Sequence, residues 1–157
     1  MVHIVSAGID EGKTQKIEAL YRQLQQGDGW VSRKIRLNRE FVGYELERLS
    51  TAEKMPLAYK RPHVPAHWQE VDEYGPFLFS KQAFAFAEKI IDELIEKGVE
   101  PVFIDEIGPL ELSGRGFCPL LQNLLKTPLE SYIAVRSQCV QEVIKKFAVK
   151  EYRIITL

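Results

Sequence analysis

The chain opens on a strand, a tight loop and a helix in immediate succession, and this start constrains the fold more than any other feature. Residues 2–6 are apolar and β-rich, and Ala7-Gly8-Ile9-Asp10-Glu11-Gly12-Lys13-Thr14 follows directly. From Lys13 to residue 26, Ile17, Leu20, Tyr21 and Leu24 recur at three- and four-residue spacing, the period of an amphipathic helix. Gly27-Asp28-Gly29 stops it. A helix that begins at the end of a buried strand belongs to an α/β architecture.

The loop itself has the spacing Ala7-x-x-x-x-Gly12-Lys13-Thr14. Wrapping a phosphate requires consecutive backbone N–H groups to point inward, which small residues permit. The helix N-terminus adds the positive end of its dipole. In such a loop Ala7 to Gln15 contact nucleotide, Lys13 supplies a cation to the β- and γ-phosphates, and the Thr14 hydroxyl ligates Mg2+.

Strand and helix patterns alternate through the rest of the chain. Residues 30–37 alternate apolar and polar side chains as a half-buried strand does. Residues 42–49 and 56–60 form two short strands about the turn at Ser50-Thr51. Residues 61–70, with Pro62 and Pro65, are expected to form an exposed, mobile loop. A further strand over residues 74–79 is interrupted by Gly75-Pro76. Ser80 caps a helix that runs to Lys97, with Gly98 just past its end. The apolar run 99–104 has the look of a buried parallel strand. A loop, a helix over 116–126, a strand over 131–135, a helix over 137–147 and a strand over 152–156 complete the chain. The pattern predicts a single α/β domain over residues 1–157: a mainly parallel sheet with antiparallel strands added at one edge by residues 37–79.

The run Pro101-Val102-Phe103-Ile104-Asp105-Glu106 is an apolar strand ending in two acids. At the C-terminal end of a parallel strand these acids face the same crevice as the phosphate loop. Asp105 is the second metal-binding candidate, beside Thr14, and Glu106 is placed to orient and deprotonate an attacking water. Glu111 falls close by, either positioning Glu106 or the water, or standing as a solvated carboxylate. Arg136 follows the strand 131–135 and is the candidate for stabilising charge that develops on a γ-phosphate. His63 and His67 have zinc-pair spacing, but the prolines around them oppose the helix that pairing needs. The basic run Arg33, Lys34, Arg36 and Arg39 is read as a solvated face, with substrate or partner contact the lesser alternative.

Charge is nearly balanced, 21 Lys+Arg against 22 Asp+Glu, so bulk charge points to neither nucleic acid nor membrane surfaces. No apolar run approaches the roughly 18–20 residues of a membrane span, and the N-terminus lacks a signal-peptide layout, so a cytoplasmic location is expected. The two cysteines, Cys118 and Cys139, sit in apolar helical patterns as buried reduced thiols.

The phosphate loop, the segment Gly43-Tyr44-Glu45-Leu46 and the run Ile104-Asp105-Glu106-Ile107-Gly108-Pro109-Leu110-Glu111-Leu112 together resemble the cancer-related nucleoside-triphosphatase family. The resemblance covers essentially the whole chain, and its most specific part is the acidic run. It implies a RecA-like P-loop α/β core, a Mg2+ cofactor, and hydrolysis of ATP, GTP and other nucleoside triphosphates. By the same resemblance Lys13 and Thr14 bind phosphate and metal, Asp105 the metal, and Glu106 acts as the base. The family's loop usually has glycine where this chain has Ala7 and Asp10, and threonine where it has Gln15. Asp10 and Glu11 bring two negative charges to the loop, each costing on the order of 1 kcal/mol if it faces a triphosphate.

Three functions are open to such a chain. Hydrolysis of a nucleoside triphosphate is the first. Phosphoryl transfer to a nucleoside or metabolite, with residues 37–79 as the acceptor lid, is the second. A nucleotide-binding regulatory protein with little turnover is the third. Base preference, pathway and oligomeric state leave no mark in the sequence.

Overall fold

A computed structural model describes all of residues 1–157. Nine strands form one sheet, in the order β5-β6-β4-β3-β2-β7-β8-β1-β9. Five of them make its parallel half: β1 (Val2–Ala7), β2 (Asp28–Leu37), β7 (Val102–Ile107), β8 (Ser131–Arg136) and β9 (Tyr152–Thr156). β1 lies between β8 and β9, and β7 between β8 and β2, all in parallel register. Numbered by order along the chain, the parallel strands run 5-1-4-3-2, the RecA-like arrangement. β3 (Glu40–Arg48), β4 (Lys54–Lys60), β5 (Glu70–Tyr74) and β6 (Phe77–Ser80) extend the sheet antiparallel beyond β2.

Helices cover both faces. α1 (Lys13–Leu24) packs Ile17 against Val5, Val31, Phe103 and Ala134 on one side. On the other, α2 (Lys81–Lys97), α4 (Cys118–Leu125) and α5 (Val140–Lys146) close over Ile4, Trp30, Leu46, Ile104 and Ile133. Successive residues of one strand, such as Ile4 and Val5, therefore enter opposite cores, as the two-residue period of a strand requires. Both buried cysteines are free thiols. No helix is long and apolar enough to cross a membrane.

Local chemistry fixes several boundaries. Ser80 Oγ accepts from the N–H groups of Gln82 and Ala83, and Gly98 ends α2 at φ 64°. Gly75-Pro76 does not break a strand; it turns β5 into β6 as a hairpin, so the extension has four strands where three segments were expected. The expected loop over 61–70 begins with a 3₁₀ turn, Arg61–His63, and ends where β5 starts at Glu70. The buried strand starts at Val102, three residues later than its apolar run, and continues through both acids to Ile107. A short helix, α3 (Pro109–Leu112), follows where a loop was expected. The helix expected over 137–147 opens as a 3₁₀ turn, Ser137–Cys139, before α5.

The junction of β2 and β7 sets the distance between the phosphate loop and the antiparallel extension. Gly29 pairs with Phe103 there at φ 149°, and a Cβ on Gly29 would lie 1.9 Å from the Phe103 carbonyl oxygen. Only a residue without a side chain permits this approach. Gly29→Ala is expected to lower stability by about 2–4 kcal/mol in chemical denaturation. An unchanged unfolding midpoint would show that the two strands can separate without cost.

Candidate active site

The loop between β1 and α1 folds as its small residues allow. Asp10 (φ 57°) and Gly12 (φ 96°) both take left-handed backbone, which bends the chain around the start of α1. Lys13 is 3% exposed, and its ammonium donates to the carbonyls of Gly8 (2.6 Å) and Ala7 (3.4 Å). The cation is thus held across the loop it belongs to. Ile9 to Thr14 and Gln15 line a cleft of about 370 Å³, while Ala7 and Gly8 contribute backbone behind it.

Asp105 is completely buried on β7. Its Oδ2 accepts from Thr14 Oγ1 at 2.6 Å and from the Ser32 backbone N–H at 3.0 Å. Its Oδ1 is buried with no partner. Burial, then the negative charge of Glu106, pushes its pKa up to about 7, against the opposing pull of Thr14, the Ser32 N–H and Lys13. A hydroxyl beside an orphaned carboxylate oxygen is a donor set suited to a hard divalent cation such as Mg2+, which prefers few protein ligands and phosphate oxygens. These observations fit Thr14 and Asp105 as the residues that would hold it.

Alternation along a regular strand would send Asp105 and Glu106 to opposite faces. The register between β7 and β8 prevents this. Ile104 pairs with Ile133 and Ile107 with Val135, so Asp105 and Glu106 together stand opposite Ala134 alone. This β-bulge puts Glu106 at φ 69°, a strained conformation for a residue with a side chain. Its carboxylate lines the cleft with Tyr44 and Arg136. Arg136 is the last residue of β8, paired with Ala7, so it stands directly beside the phosphate loop.

This fold agrees with what the chain matches among known proteins. The model of the NTPase_1 family, described as NTPase, matches residues 3–157. The chain belongs to this NTPase family. No curated protein matches it in sequence. Two solved structures share its fold at 18% sequence identity. The crystal structure of THEP1 from the hyperthermophile Aquifex aeolicus has a TM-score of 0.78, with 100% of this chain and 90% of that one covered. The solution structure of a human cancer-related nucleoside triphosphatase has a TM-score of 0.67, with 98% and 87% covered.

Several residues of this NTPase family member stand differently from their sequence reading. Glu111 is neither solvated nor aimed at Glu106. It is buried, and its two oxygens accept from the backbone N–H groups of Gly108 (2.9 Å) and Phe117 (3.1 Å), which caps α3. Burial raises its pKa to about 7. The basic run is not one solvated face. Arg33, Lys34 and Arg36 all line the cleft. Arg33 is held by Glu18 (2.6 Å) and Glu47 (2.7 Å), which raise its pKa further. Arg39 instead occupies the turn between β2 and β3 at φ 68°. Ser32 and Tyr44 also line the cleft, and neither was a candidate from sequence, because only strand pairing brings β2 and β3 to it. His63 lies in the 3₁₀ turn near Glu40, and His67 in the irregular stretch before β5.

The two acids of the phosphate loop have separate fates. Asp10 pairs with Lys34 at 2.9 Å, which offsets its charge. Glu11 folds back so that its carboxylate accepts from the Gly8 N–H at 2.7 Å, and a Cβ on Gly8 would collide with it at the same distance. Glu11 therefore places an uncompensated negative charge on the loop's own amide. Glu11→Gln keeps an oxygen for that N–H and removes the charge. It is expected to tighten the Kd for MgATP roughly fivefold, about 1 kcal/mol, by isothermal titration calorimetry. Asp10→Asn changes it less. A weaker or unchanged Kd in Glu11→Gln would mean that the charge does not face the phosphates.

Proposed function

We propose that the chain is an Mg2+-dependent nucleoside triphosphatase, a single domain over residues 1–157, that cleaves ATP or GTP to the diphosphate and phosphate. The observation that carries this reading is the 2.6 Å hydrogen bond from Thr14 to buried Asp105, with Glu106 turned into the same cleft by the bulge. In this reading a phosphate-binding loop, a metal-binding pair and a free carboxylate surround one space.

The backbone N–H groups from Ile9 to Gln15 hold the β-phosphate at the start of α1. Lys13 leaves the carbonyls of Ala7 and Gly8 for the β- and γ-phosphate oxygens. Thr14 and Asp105 would hold Mg2+, which would supply positive charge against the triphosphate and the leaving diphosphate. Glu106 orients a water against the γ-phosphorus and accepts its proton. Arg136 stabilises charge on the equatorial oxygens. Arg36, which lines the cleft, supplies a further cation toward the triphosphate or ribose. We place the protein in the cytoplasm.

Phosphate release from MgATP and MgGTP tests the assignment. Glu106→Gln is expected to keep nucleotide affinity and lower kcat by about 10²–10⁴. Lys13→Ala loses most of the affinity. Wild-type turnover that survives Glu106→Gln unchanged would remove Glu106 from the chemistry.

A further inference from the structure

A second cavity of about 340 Å³ adjoins the cleft, and its character differs. Its walls include Phe41 and Tyr44 of β3, Leu57 of β4, and Phe77 and Phe79 of β6. Phe41, Tyr44 and Phe77 pack together with centroids 5.0–5.9 Å apart, Phe41 edge-on to Tyr44 and both tilted against Phe77. Pro109 and Leu110 close the side toward α3, and the Gly75-Pro76 turn forms part of its rim. The antiparallel extension thus supplies most of the aromatic lining.

The two spaces meet at shared residues: Ile9, Asp10, Ser32, Tyr44, Glu106 and Arg136 line both. Ser32 is 7% exposed, and its Oγ is buried without a hydrogen-bond partner at this junction. A buried hydroxyl left unpaired is unfavourable unless something else satisfies it. A site for water alone needs a small polar space near Glu106. An aromatic chamber of this size, with a few polar groups at one end, is instead the form of a small-molecule pocket.

We propose that this cavity is a second-substrate site for a planar aromatic molecule carrying a hydroxyl, nucleoside-like in shape. Its ring sits among Phe41, Phe77 and Phe79, and its hydroxyl meets Ser32 Oγ and Glu106 at the junction. There the hydroxyl takes the place of water. Its oxygen bonds to the γ-phosphorus, the bridging β–γ P–O bond breaks, its proton passes to Glu106, and the nucleoside diphosphate leaves. Hydrolysis is the reaction of the empty cavity. The inference rests on the reading of the phosphate cleft given above, but it is tested separately from hydrolysis.

The test supplies MgATP labelled in its γ-phosphate, with adenosine, guanosine, cytidine or uridine added one at a time, and resolves free phosphate from labelled nucleoside monophosphate. Label is expected on at least one nucleoside, and Phe77→Ala lowers that transfer about tenfold or more while phosphate release without nucleoside stays near wild type. Phosphate release with no label on any nucleoside overturns the second-substrate site and leaves the hydrolase standing. Label on a nucleoside without release in its absence upholds the site and overturns hydrolysis. Neither product overturns both. The wild-type panel decides the matter even if Phe77→Ala fails to fold.

Discussion

A carboxylate shut away from water is costly unless other groups compensate its charge. Asp105 meets that cost with partners drawn from two other elements: the Thr14 hydroxyl at the start of α1 and the Ser32 N–H of β2. One side chain thereby fixes the phosphate loop, the central strand β7 and the first strand of the antiparallel half relative to one another. Its remaining oxygen is unpartnered, and the pKa of about 7 records how poorly the protein alone satisfies it. A divalent cation would restore what burial removes. Asp105 is therefore a group that a bound divalent cation would complete.

The neighbouring residue depends on a departure from regularity. Without the bulge opposite Ala134, Glu106 would point away from the face that Asp105 serves. The strained backbone at φ 69° is the conformational expense of turning Glu106 into the cleft beside buried Asp105. The buried carboxylate of Glu111 holds the backbone of residues 108 and 117 just beyond. That staple keeps the segment after β7 close to Arg136: a Cβ on Gly108 would stand only 3.4 Å from the guanidinium Nε.

What the sequence revealed follows from the range of the interactions involved. The phosphate loop, the Ser80 cap and the Gly98 stop are local, so a few neighbouring residues specify each. The RecA-like alternation was also legible, because apolar periodicity is written along the chain. The roles of Ser32 and Tyr44 were hidden, since they arise only when β2 pairs with β7 and β3. Gly75-Pro76 misled because a strand interruption and a hairpin turn use the same residues. The bulge depends on pairing between strands remote in sequence, and no local pattern announces it. Glu111 was misread because its two backbone donors flank it only after α3 forms.

The antiparallel extension gives the molecule its asymmetry: polar and charged around the phosphate loop, aromatic beside it, with Glu106 and Arg136 on the boundary. The proposed chemistry depends on Asp105 and Thr14 holding Mg2+. The most direct test is calorimetric binding of ATP to wild type and Asp105→Asn, each with Mg2+ and with chelator. Asn retains an oxygen for Thr14 and Ser32 but loses the charge. The account predicts that Mg2+ tightens wild-type binding by about tenfold or more and that the variant loses most of this gain while binding alike in chelator. A variant that keeps the full Mg2+ enhancement would contradict it.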